Sequence, residues 1–231
     1  AEIGAVCREF GALFHTDAAQ AAGKIPLDVE RMGLDLLSIS AHKYYGPKGV
    51  GVLYVRRRGT PVRLAPLSLG GGQEAGLRPG TLNVPGIVGL GECSRLAADE
   101  LDSEPPRLAR LRDRLLARVR AGVPDVRVNG PPLETPDVLE KRLAGNLSLS
   151  FPGLDGTALV ISLKDIAASS GSACTTGNAE PSYVLKALGV SDALATATLR
   201  LCVGRFQKEE EIDYAARRIV ETAGKLRLEP H

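Results

Sequence analysis

Two apolar stretches separated by a short turn are the feature that most constrains the fold of this chain. The first runs from Leu34 to Ile39, the second from Val50 to Val55, and a turn rich in glycine and proline lies between them. Short apolar runs bounded by turn residues predict buried strands. Lys43 follows the first strand, in Ser40-Ala41-His42-Lys43-Tyr44-Tyr45-Gly46-Pro47-Lys48-Gly49. Such a lysine can form a Schiff base with an aldehyde cofactor, although a surface lysine in a turn has the same local pattern.

Composition limits the class of protein. The chain has 231 residues, of which 44% are hydrophobic and 24% charged, as in a globular protein with one large or two small domains. The 29 basic and 27 acidic residues give a net charge of +2, which provides no case for binding nucleic acid or a membrane. The 4 cysteines are far apart, lack metal-ligand spacing and suit a reducing compartment. We therefore expect a cytoplasmic protein without a metal site or a membrane segment.

The order of the predicted elements indicates an α/β part followed by an α+β part. In the first part, a strand over 12–16 leads to Asp17, and because ligands gather where the strands of open α/β sheets end, Asp17 and Lys43 could share one site. A glycine-rich loop follows over 67–81. Helices are predicted at 87–101 and 108–121, and Pro105-Pro106 is expected to separate them. Later strands are predicted at 126–128, 147–151 and 196–203, with helices at 156–165, 181–188 and 209–226. We expect residues 1–100 to belong to a larger α/β domain and residues 101–231 to form a smaller α+β domain.

The surroundings of Lys43 match the needs of pyridoxal 5'-phosphate (PLP). This cofactor requires an amine for its aldehyde, an anion near the pyridine nitrogen, a donor to the phenolic oxygen and donors to the phosphate. Asp17 suits the pyridine nitrogen, and Gln20 suits the phenolic oxygen. Ser40 and His42 lie beside Lys43 and suit the phosphate. Each residue alone has a structural explanation, such as a helix cap for Asp17, but the combination predicts a PLP site.

A second candidate centre is Cys174, in the segment Ser169-Ser170-Gly171-Ser172-Ala173-Cys174-Thr175-Thr176-Gly177. Small neighbours leave its thiol accessible, and an accessible thiol can attack a bound substrate and carry the product away. Cys7, Cys93 and Cys202 lie instead among apolar residues of predicted helices or strands, and we expect them to be buried.

Arg200 is a charged residue in the middle of a mainly apolar predicted strand, Thr196 to Val203. A charge in such a place should be paired or functional. A guanidinium that binds the α-carboxylate of an amino acid would explain it, and so would a structural ion pair. The residues alone leave both interpretations open.

Together these segments resemble the PLP-dependent cysteine desulfurases of the NifS/IscS type, in the class V aminotransferase group. The resemblance runs essentially end to end. It rests on His15-Thr16-Asp17-Ala18-Ala19-Gln20, the lysine segment 40–49, Gly70-Gly71-Gly72-Gln73-Glu74, Arg78-Pro79-Gly80-Thr81-Leu82, the cysteine segment 169–175, Glu180-Pro181-Ser182-Tyr183-Val184-Leu185, and Gly204-Arg205-Phe206 with the acidic run 209–213.

The resemblance implies a homodimeric enzyme of fold-type I, with an incomplete large α/β domain and a small α+β domain. Lys43 would be the Schiff-base lysine and the proton carrier. Asp17 would face the pyridine nitrogen, and Gln20 the phenolic oxygen. Ser40 and His42 would bind the phosphate.

The same resemblance implies a reaction that converts L-cysteine to L-alanine. Arg200 would hold the substrate carboxylate, and Cys174 would accept the sulfur as a persulfide. Thr81 would reach the phosphate across the dimer. The sulfur would then pass to an acceptor, such as an iron–sulfur scaffold or a tRNA-thiolation protein.

The chain departs from the family pattern in the glycine-rich loop and at its beginning. Ala75 and Pro79 stand where the family usually has arginine and serine, which changes the loop or a dimer contact. The resemblance also implies that roughly 160 residues, with further PLP contacts, precede Ala1. We therefore expect the chain alone to bind PLP weakly and to turn over poorly. A selenocysteine lyase or related PLP lyase, and a truncated non-catalytic subunit, remain as alternatives.

Overall fold

The protein folds as two compact units, Ala1–Asp102 and Ser103–His231, in a computed structural model that describes residues 1–170 and 181–228. The first unit contains, in chain order, α1 (Glu2–Glu9), β1 (His15–Asp17), α2 (Val29–Met32), β2 (Leu36–Ser40), β3 (Gly51–Val55) and α3 (Val84–Asp99). The second unit contains α4 (Glu104–Gly122), β4 (Arg127–Val128), α5 (Val138–Lys141), β5 (Asn146–Ser150), α6 (Gly156–Ser162), β6 (Ser169–Ser170), α7 (Tyr183–Ala187), α8 (Asp192–Thr196), β7 (Thr198–Cys202) and α9 (Glu209–Leu228).

The sheet of the first unit has the strand order β1-β2-β3. β1 is parallel to β2, with Asp17 opposite Ser38, and β3 is antiparallel to β2. Since side chains alternate along a strand, Asp17, Ser38 and Ser40 share one face of this sheet, and Leu37 lies on the other. Because parallel β1 and β2 end at the same edge, Asp17 and Ser40 both lie at that edge.

A buried carboxylate fixes the opposite end of this sheet. Asp35 is 8% exposed and accepts hydrogen bonds from the Phe14 backbone N–H at 2.7 Å and from Arg56 Nε at 2.6 Å. It therefore joins the residue before β1, the residue before β2 and the residue after β3. Burial by itself raises the pKa of Asp35, but these two hydrogen bonds and the charge of Arg56 outweigh it and hold the pKa below its usual value.

Local sequence explains where the short helices of this unit begin and end. Asp28 caps α2, because its Oδ1 accepts the backbone N–H groups of Glu30 and Arg31. Gly33 ends α2 with φ 66°, a left-handed conformation that favours glycine. Asn83 caps α3 by accepting the N–H of Gly86 at 3.1 Å. Because α2 ends at Gly33, only Leu34 and Asp35 separate it from β2.

The second unit has a four-stranded sheet with the order β4-β5-β7-β6, in which all paired strands are antiparallel. Its apolar face carries Leu147 and Leu149 from β5, which are 0% exposed. They belong to one continuous buried cluster with apolar side chains of α4 and α9. This cluster is the hydrophobic core of the unit.

The opposite face of this sheet is polar. Ser150 and Thr198 are paired across β5 and β7, are 0% exposed, and have hydroxyl oxygens 2.8 Å apart. Asn129 Nδ2 donates to Ser150 Oγ at 2.9 Å, and Thr198 Oγ1 donates to the Leu194 carbonyl. This network satisfies polar groups that would be costly to bury alone. It places β7, and hence Arg200, firmly against β5.

The structure corrects two predicted boundaries. Pro105-Pro106 lies in the first turn of α4 and does not separate two helices, because proline lacks only an N–H that this turn leaves unpaired. The predicted strand over 196–203 begins only at Thr198, because Asp192–Thr196 forms α8.

Candidate active site

The carboxyl edge of β1 and β2 brings several of the predicted site residues to one place in the first unit. Asp17 is the last residue of β1, and Ser40 is the last residue of β2. His42 and Lys43 follow in a single 3-10 turn, Ala41–Lys43. The fold therefore groups a carboxylate, a hydroxyl, an imidazole and an amine at neighbouring strand ends, where ligands of α/β sheets bind.

The turn that carries Lys43 is held by the residues on either side of it. Ala41 is 0% exposed and Tyr44 is 3% exposed, whereas His42 and Lys43 between them are exposed. The Tyr44 hydroxyl lies 3.1 Å from Ser94 Oγ on α3. Burial anchors both sides of the turn, so the lysine amine projects from a fixed backbone.

The backbone after this turn is tightly packed. A Cβ at Gly46 would lie 2.6 Å from Cys93 Sγ and 2.8 Å from Ala41 Cβ, so this position requires glycine. Tyr45 adopts φ 73°, a left-handed conformation that is strained for a residue with a side chain. Such strain persists only where the surrounding structure fixes the backbone.

Asp17 is exposed, and its Oδ1 accepts the Ala19 backbone N–H at 2.8 Å. Its other oxygen, Oδ2, has no hydrogen-bond partner among residues 1–170 and 181–228. Gln20 is also exposed, and its Oε1 accepts a hydrogen bond from Lys24 Nζ at 3.0 Å. The carboxylate can thus pair with a protonated ring nitrogen, and the Gln20 amide NH2 keeps its donors for a ligand oxygen.

One further polar contact on this sheet face was not expected from the sequence. His15 Nε2 lies 2.7 Å from Ser38 Oγ, and each of these residues is two positions before the last residue of its strand. Side chains two residues apart on a strand point to the same face. The spacing of His15 and Asp17 along β1, and of Ser38 and Ser40 along β2, could therefore have indicated that they share a face.

Thr81 is the last residue of the glycine-rich loop 67–81 and is exposed. The loop is shaped by Gln73, whose Oε1 accepts the Gly80 N–H at 3.1 Å. Glu74 and Ala75 have φ 50° and 55°, so Ala75 occupies a left-handed position at some cost in strain. The loop therefore keeps a defined turn in spite of the alanine.

Arg200, the predicted substrate ligand, lies on β7 in the second unit. Its side chain is exposed on the polar face of the sheet, opposite Ser148 of β5. No residue in the described part of the chain forms an ion pair with Arg200, so the structural ion pair that the sequence left open is not observed there. Cys174, the predicted sulfur acceptor, lies outside the described residues.

The expectation that the other cysteines are buried holds only for Cys93. Cys93 is 5% exposed, and its Sγ contacts the Leu90 carbonyl. Cys202 is exposed because it follows Arg200 by two positions on β7 and shares its polar face, while Cys7 is partly exposed on α1. The prediction was wrong for Cys202 because it did not distinguish the two faces of the strand.

The arrangement fits PLP in part. The edge offers an exposed primary amine and an exposed carboxylate, which are the groups that the aldehyde and the pyridine nitrogen require. It also offers a hydroxyl at Ser40 that makes no capping hydrogen bond. A phosphate needs several donors, and Ser40 and His42 supply side-chain donors next to the lysine.

Comparison with known proteins identifies the family. The sequence profile described as "Aminotransferase class-V" matches residues 1–215. The chain belongs to the class V aminotransferase family. This confirms the family resemblance that the lysine and cysteine segments indicated.

Individual class V relatives narrow the resemblance. "Cysteine desulfurase IscS" of Anaeromyxobacter dehalogenans (strain 2CP-C) is 53% identical over 227 residues, which are 98% of this chain and 54% of that protein. "Cysteine desulfurase" of Mus musculus is 48% identical over 227 residues, 98% of this chain and 48% of that protein. The chain therefore spans about half the length of the curated relatives that it matches.

Solved structures agree with the sequences. A structure titled "NIFS-LIKE PROTEIN" superposes with a TM-score of 0.79 at 36% sequence identity and covers 96% of this chain and 55% of that chain. A NifS-like protein from Rickettsia africae ESF-5 gives a TM-score of 0.80 at 27% identity. The predicted fold-type I class is confirmed, as a partial α/β structure. Within residues 1–170 and 181–228, none of the helices has the length and apolar character that a membrane crossing requires.

Proposed function

We propose that this protein is a cysteine desulfurase, which converts L-cysteine to L-alanine and keeps the sulfur as a persulfide on Cys174. The observation that carries the proposal is the exposed amine of Lys43 at the same sheet edge as Asp17, whose Oδ2 has no hydrogen-bond partner among the described residues. The sequence identity of 53% and 48% to two cysteine desulfurases supports the choice of L-cysteine as substrate.

In this proposal, PLP is held by residues of the first unit. Asp17 binds the pyridine nitrogen, Gln20 donates to the phenolic oxygen, and Ser40 and His42 donate to the phosphate. Bound PLP supplies an aldehyde for the amine of Lys43 and a ring that withdraws electrons from the substrate α-carbon. Thr81 contributes a phosphate contact to the second subunit of a homodimer.

The remaining groups act on the substrate. Arg200 binds its α-carboxylate through a guanidinium that is free of ion pairs with described residues. The amine of Lys43 removes the α-proton and later returns a proton to the product carbon. The thiolate of Cys174 attacks the substrate sulfur, so the carbon–sulfur bond breaks as the sulfur–sulfur bond forms. An acceptor protein, such as an iron–sulfur scaffold, then receives the terminal sulfur.

The test uses the native-length protein with L-cysteine and PLP. We expect alanine and a cysteine persulfide, and we expect Cys174→Ser to bind PLP while forming no persulfide at that position. Borohydride treatment in the presence of PLP, followed by peptide mass mapping, should place the modification on Lys43, and Lys43→Ala should remove it.

Two results would reject the proposal. Modification of a different lysine would remove Lys43 from its role. A wild-type protein that binds PLP and releases selenium from selenocysteine, but forms no persulfide from L-cysteine, would favour a selenocysteine lyase.

A further inference from the structure

The strand that carries Asp17 is short and lies at the side of its sheet. β1 consists of His15–Asp17, and in the order β1-β2-β3 it pairs with β2 alone among the described strands. Two strands that pair over only three residues form few ladder hydrogen bonds. The position of the Asp17 carboxylate therefore depends on further contacts between β1 and β2.

Ser38 of β2 makes two such contacts, one on each side of Asp17. Ser38 is the residue directly opposite Asp17 in the parallel pair. Its carbonyl oxygen accepts the Ala18 backbone N–H at 2.8 Å, and its Oγ lies 2.7 Å from His15 Nε2. The residue that follows Asp17 and the residue two positions before it are thus both bonded to Ser38.

The bond between His15 and Ser38 lies on the face of the sheet that carries Asp17. Side chains two residues apart share a face of a strand, so His15 and Asp17 point to the same side as Ser38. The Ala18 contact joins the two backbones and the His15 contact joins two side chains, so together they limit both sliding and twisting of β1 against β2. Asp17 Oδ1 in turn accepts the Ala19 N–H at 2.8 Å, which holds the carboxylate on the same segment.

The same bond sets the spacing between Asp17 and the lysine turn. Ser40 is the second residue after Ser38 on β2, and the turn Ala41–Lys43 follows it directly. The pyridine ring of PLP is rigid, so its nitrogen and its aldehyde carbon are a fixed distance apart. A carboxylate and an amine that serve these two atoms must keep matching positions, and a displacement of about 1 Å at either of them weakens the fit.

We propose that His15 is a positioning residue for PLP, which acts through Ser38 to hold the Asp17 carboxylate towards the pyridine nitrogen. His15 lies two positions before the end of its strand and needs no contact with the cofactor itself. The proposal rests on the proposed function for the role of Asp17. It adds that the hydrogen-bonding nitrogen at position 15, and not the bulk of the imidazole ring, is what this role requires.

The test compares two replacements of His15 in the native-length protein. His15→Gln keeps a nitrogen as many bonds from the backbone as Nε2, whereas His15→Phe keeps a flat ring and removes the bond to Ser38. Without PLP, we expect the Ala18 and Ala19 amide hydrogens of His15→Phe to exchange about threefold to tenfold faster than those of the wild type, as for the loss of one hydrogen bond. His15→Gln should restore the slow exchange.

The second measurement uses PLP labelled with ¹⁵N at its ring nitrogen, whose NMR signal reports whether that nitrogen is protonated. We expect a protonated nitrogen in the wild type and in His15→Gln. In His15→Phe the signal should move towards the unprotonated position, and the PLP dissociation constant should rise about threefold to tenfold. Ser38→Ala removes the other partner of the bond and should match His15→Phe, and the double variant should lose little more. Ser191→Ala, at an exposed position before α8 without a side-chain cap hydrogen bond, should behave like the wild type.

The proposal is overturned if the Ala19 amide exchange and the ring-nitrogen signal of His15→Phe equal those of the wild type, even if the variant melts at a lower temperature. In that case His15 would only stabilise the sheet. Failure of His15→Gln to restore both signals would also overturn it, because the ring and not the bond would then matter. If His15→Phe does not fold, Ser38→Ala gives the same comparison from the other side of the bond. Faster Ala19 exchange in His15→Phe, together with no persulfide from L-cysteine in the wild type, would reject the proposed function and leave the placement of Asp17 by His15 standing.

Discussion

The two units bury their apolar side chains to very different extents. The second unit has one continuous core that joins its sheet to α4 and α9. The first unit has two smaller clusters, one around Ala41 and Tyr44 and one around Leu34 and Leu37. Large apolar side chains that are more than half exposed occur in both units, for example Phe10 and Leu13 in the first and Ile161 and Tyr183 in the second, so the contrast lies in the buried clusters.

The unit with the larger hydrophobic core is therefore not the unit that carries the residues proposed to hold PLP. Stabilisation grows with the apolar area removed from water, so the second unit gains more free energy from its own core. The residues proposed to hold PLP lie in the first unit, on a small sheet fixed at its far end by Asp35.

The largest loss should come from the core of the second unit. Leu199 is 0% exposed, and we expect Leu199→Ala to lower the free energy of unfolding by about 2–5 kcal/mol, because it leaves a cavity among well-packed neighbours. Urea denaturation combined with hydrogen exchange would measure this loss separately in each unit.

Leu37→Ala is the matched change in the first unit, and we expect it to cost less, because Leu37 belongs to a smaller cluster. Exposed Leu139→Ala should change the stability by about 0.5 kcal/mol or less. An equal loss for Leu37→Ala and Leu199→Ala would contradict the contrast between the two cores.

The next effect should come from Asp35, which was not identified in the sequence. Asp35→Asn keeps the shape but removes the charge that binds Arg56, and we expect a loss of about 1.5–3 kcal/mol in the first unit. Since the folded state lowers the pKa of Asp35, its contribution is complete above the unfolded value of 3.8 and disappears as the pH falls below it. Denaturation of wild type and variant from pH 7 to pH 3 would measure this.

Asp28→Asn is the control for Asp35→Asn, since asparagine caps helices as well as aspartate. We expect it to change the stability by only a few tenths of a kcal/mol. If wild type and Asp35→Asn lose stability in parallel below pH 4, the charge of Asp35 is not what holds this end of the sheet.

The sequence predicted the strands around Lys43 well, because apolar periodicity and turn residues are local signals. It also predicted that Asp17 lies at a strand end beside the lysine turn. It did not predict the role of Asp35, because the three segments that this carboxylate joins are distant in sequence. The burial of Arg142 was missed for a related reason. This residue is 8% exposed and donates to the carbonyl oxygens of Asn129 and Pro131, in a turn that no local pattern reveals.

A smaller effect is expected from the polar network of the second unit. Asn129→Ala removes the donor to Ser150 and leaves buried hydroxyls less satisfied, which should cost about 1–2 kcal/mol. In the Ser150→Ala background the same change should cost clearly less, because both residues belong to one network. Urea denaturation of the four proteins in this cycle gives the coupling, and strictly additive losses would show that the network does not act as a unit.

The smallest effect should come from a surface group of the second unit. Asp165 accepts hydrogen bonds from Arg218 Nε at 2.8 Å and from the Tyr214 hydroxyl, and these two bonds lower its pKa to about 2. A carboxylate with a lowered folded pKa stabilises the protein above its unfolded value of 3.8, and the stabilisation is lost as the pH falls towards 2. We expect Asp165→Asn to lower the melting temperature slightly at pH 7 and to melt like the wild type near pH 2.

Exposed Glu140→Gln should follow the wild type at every pH. Because solvent ions screen exposed charges, the difference at pH 7 should shrink in about 1 M salt, where the Debye length is about 3 Å. A difference that persists in high salt would show that Asp165 acts through packing and not through its charge.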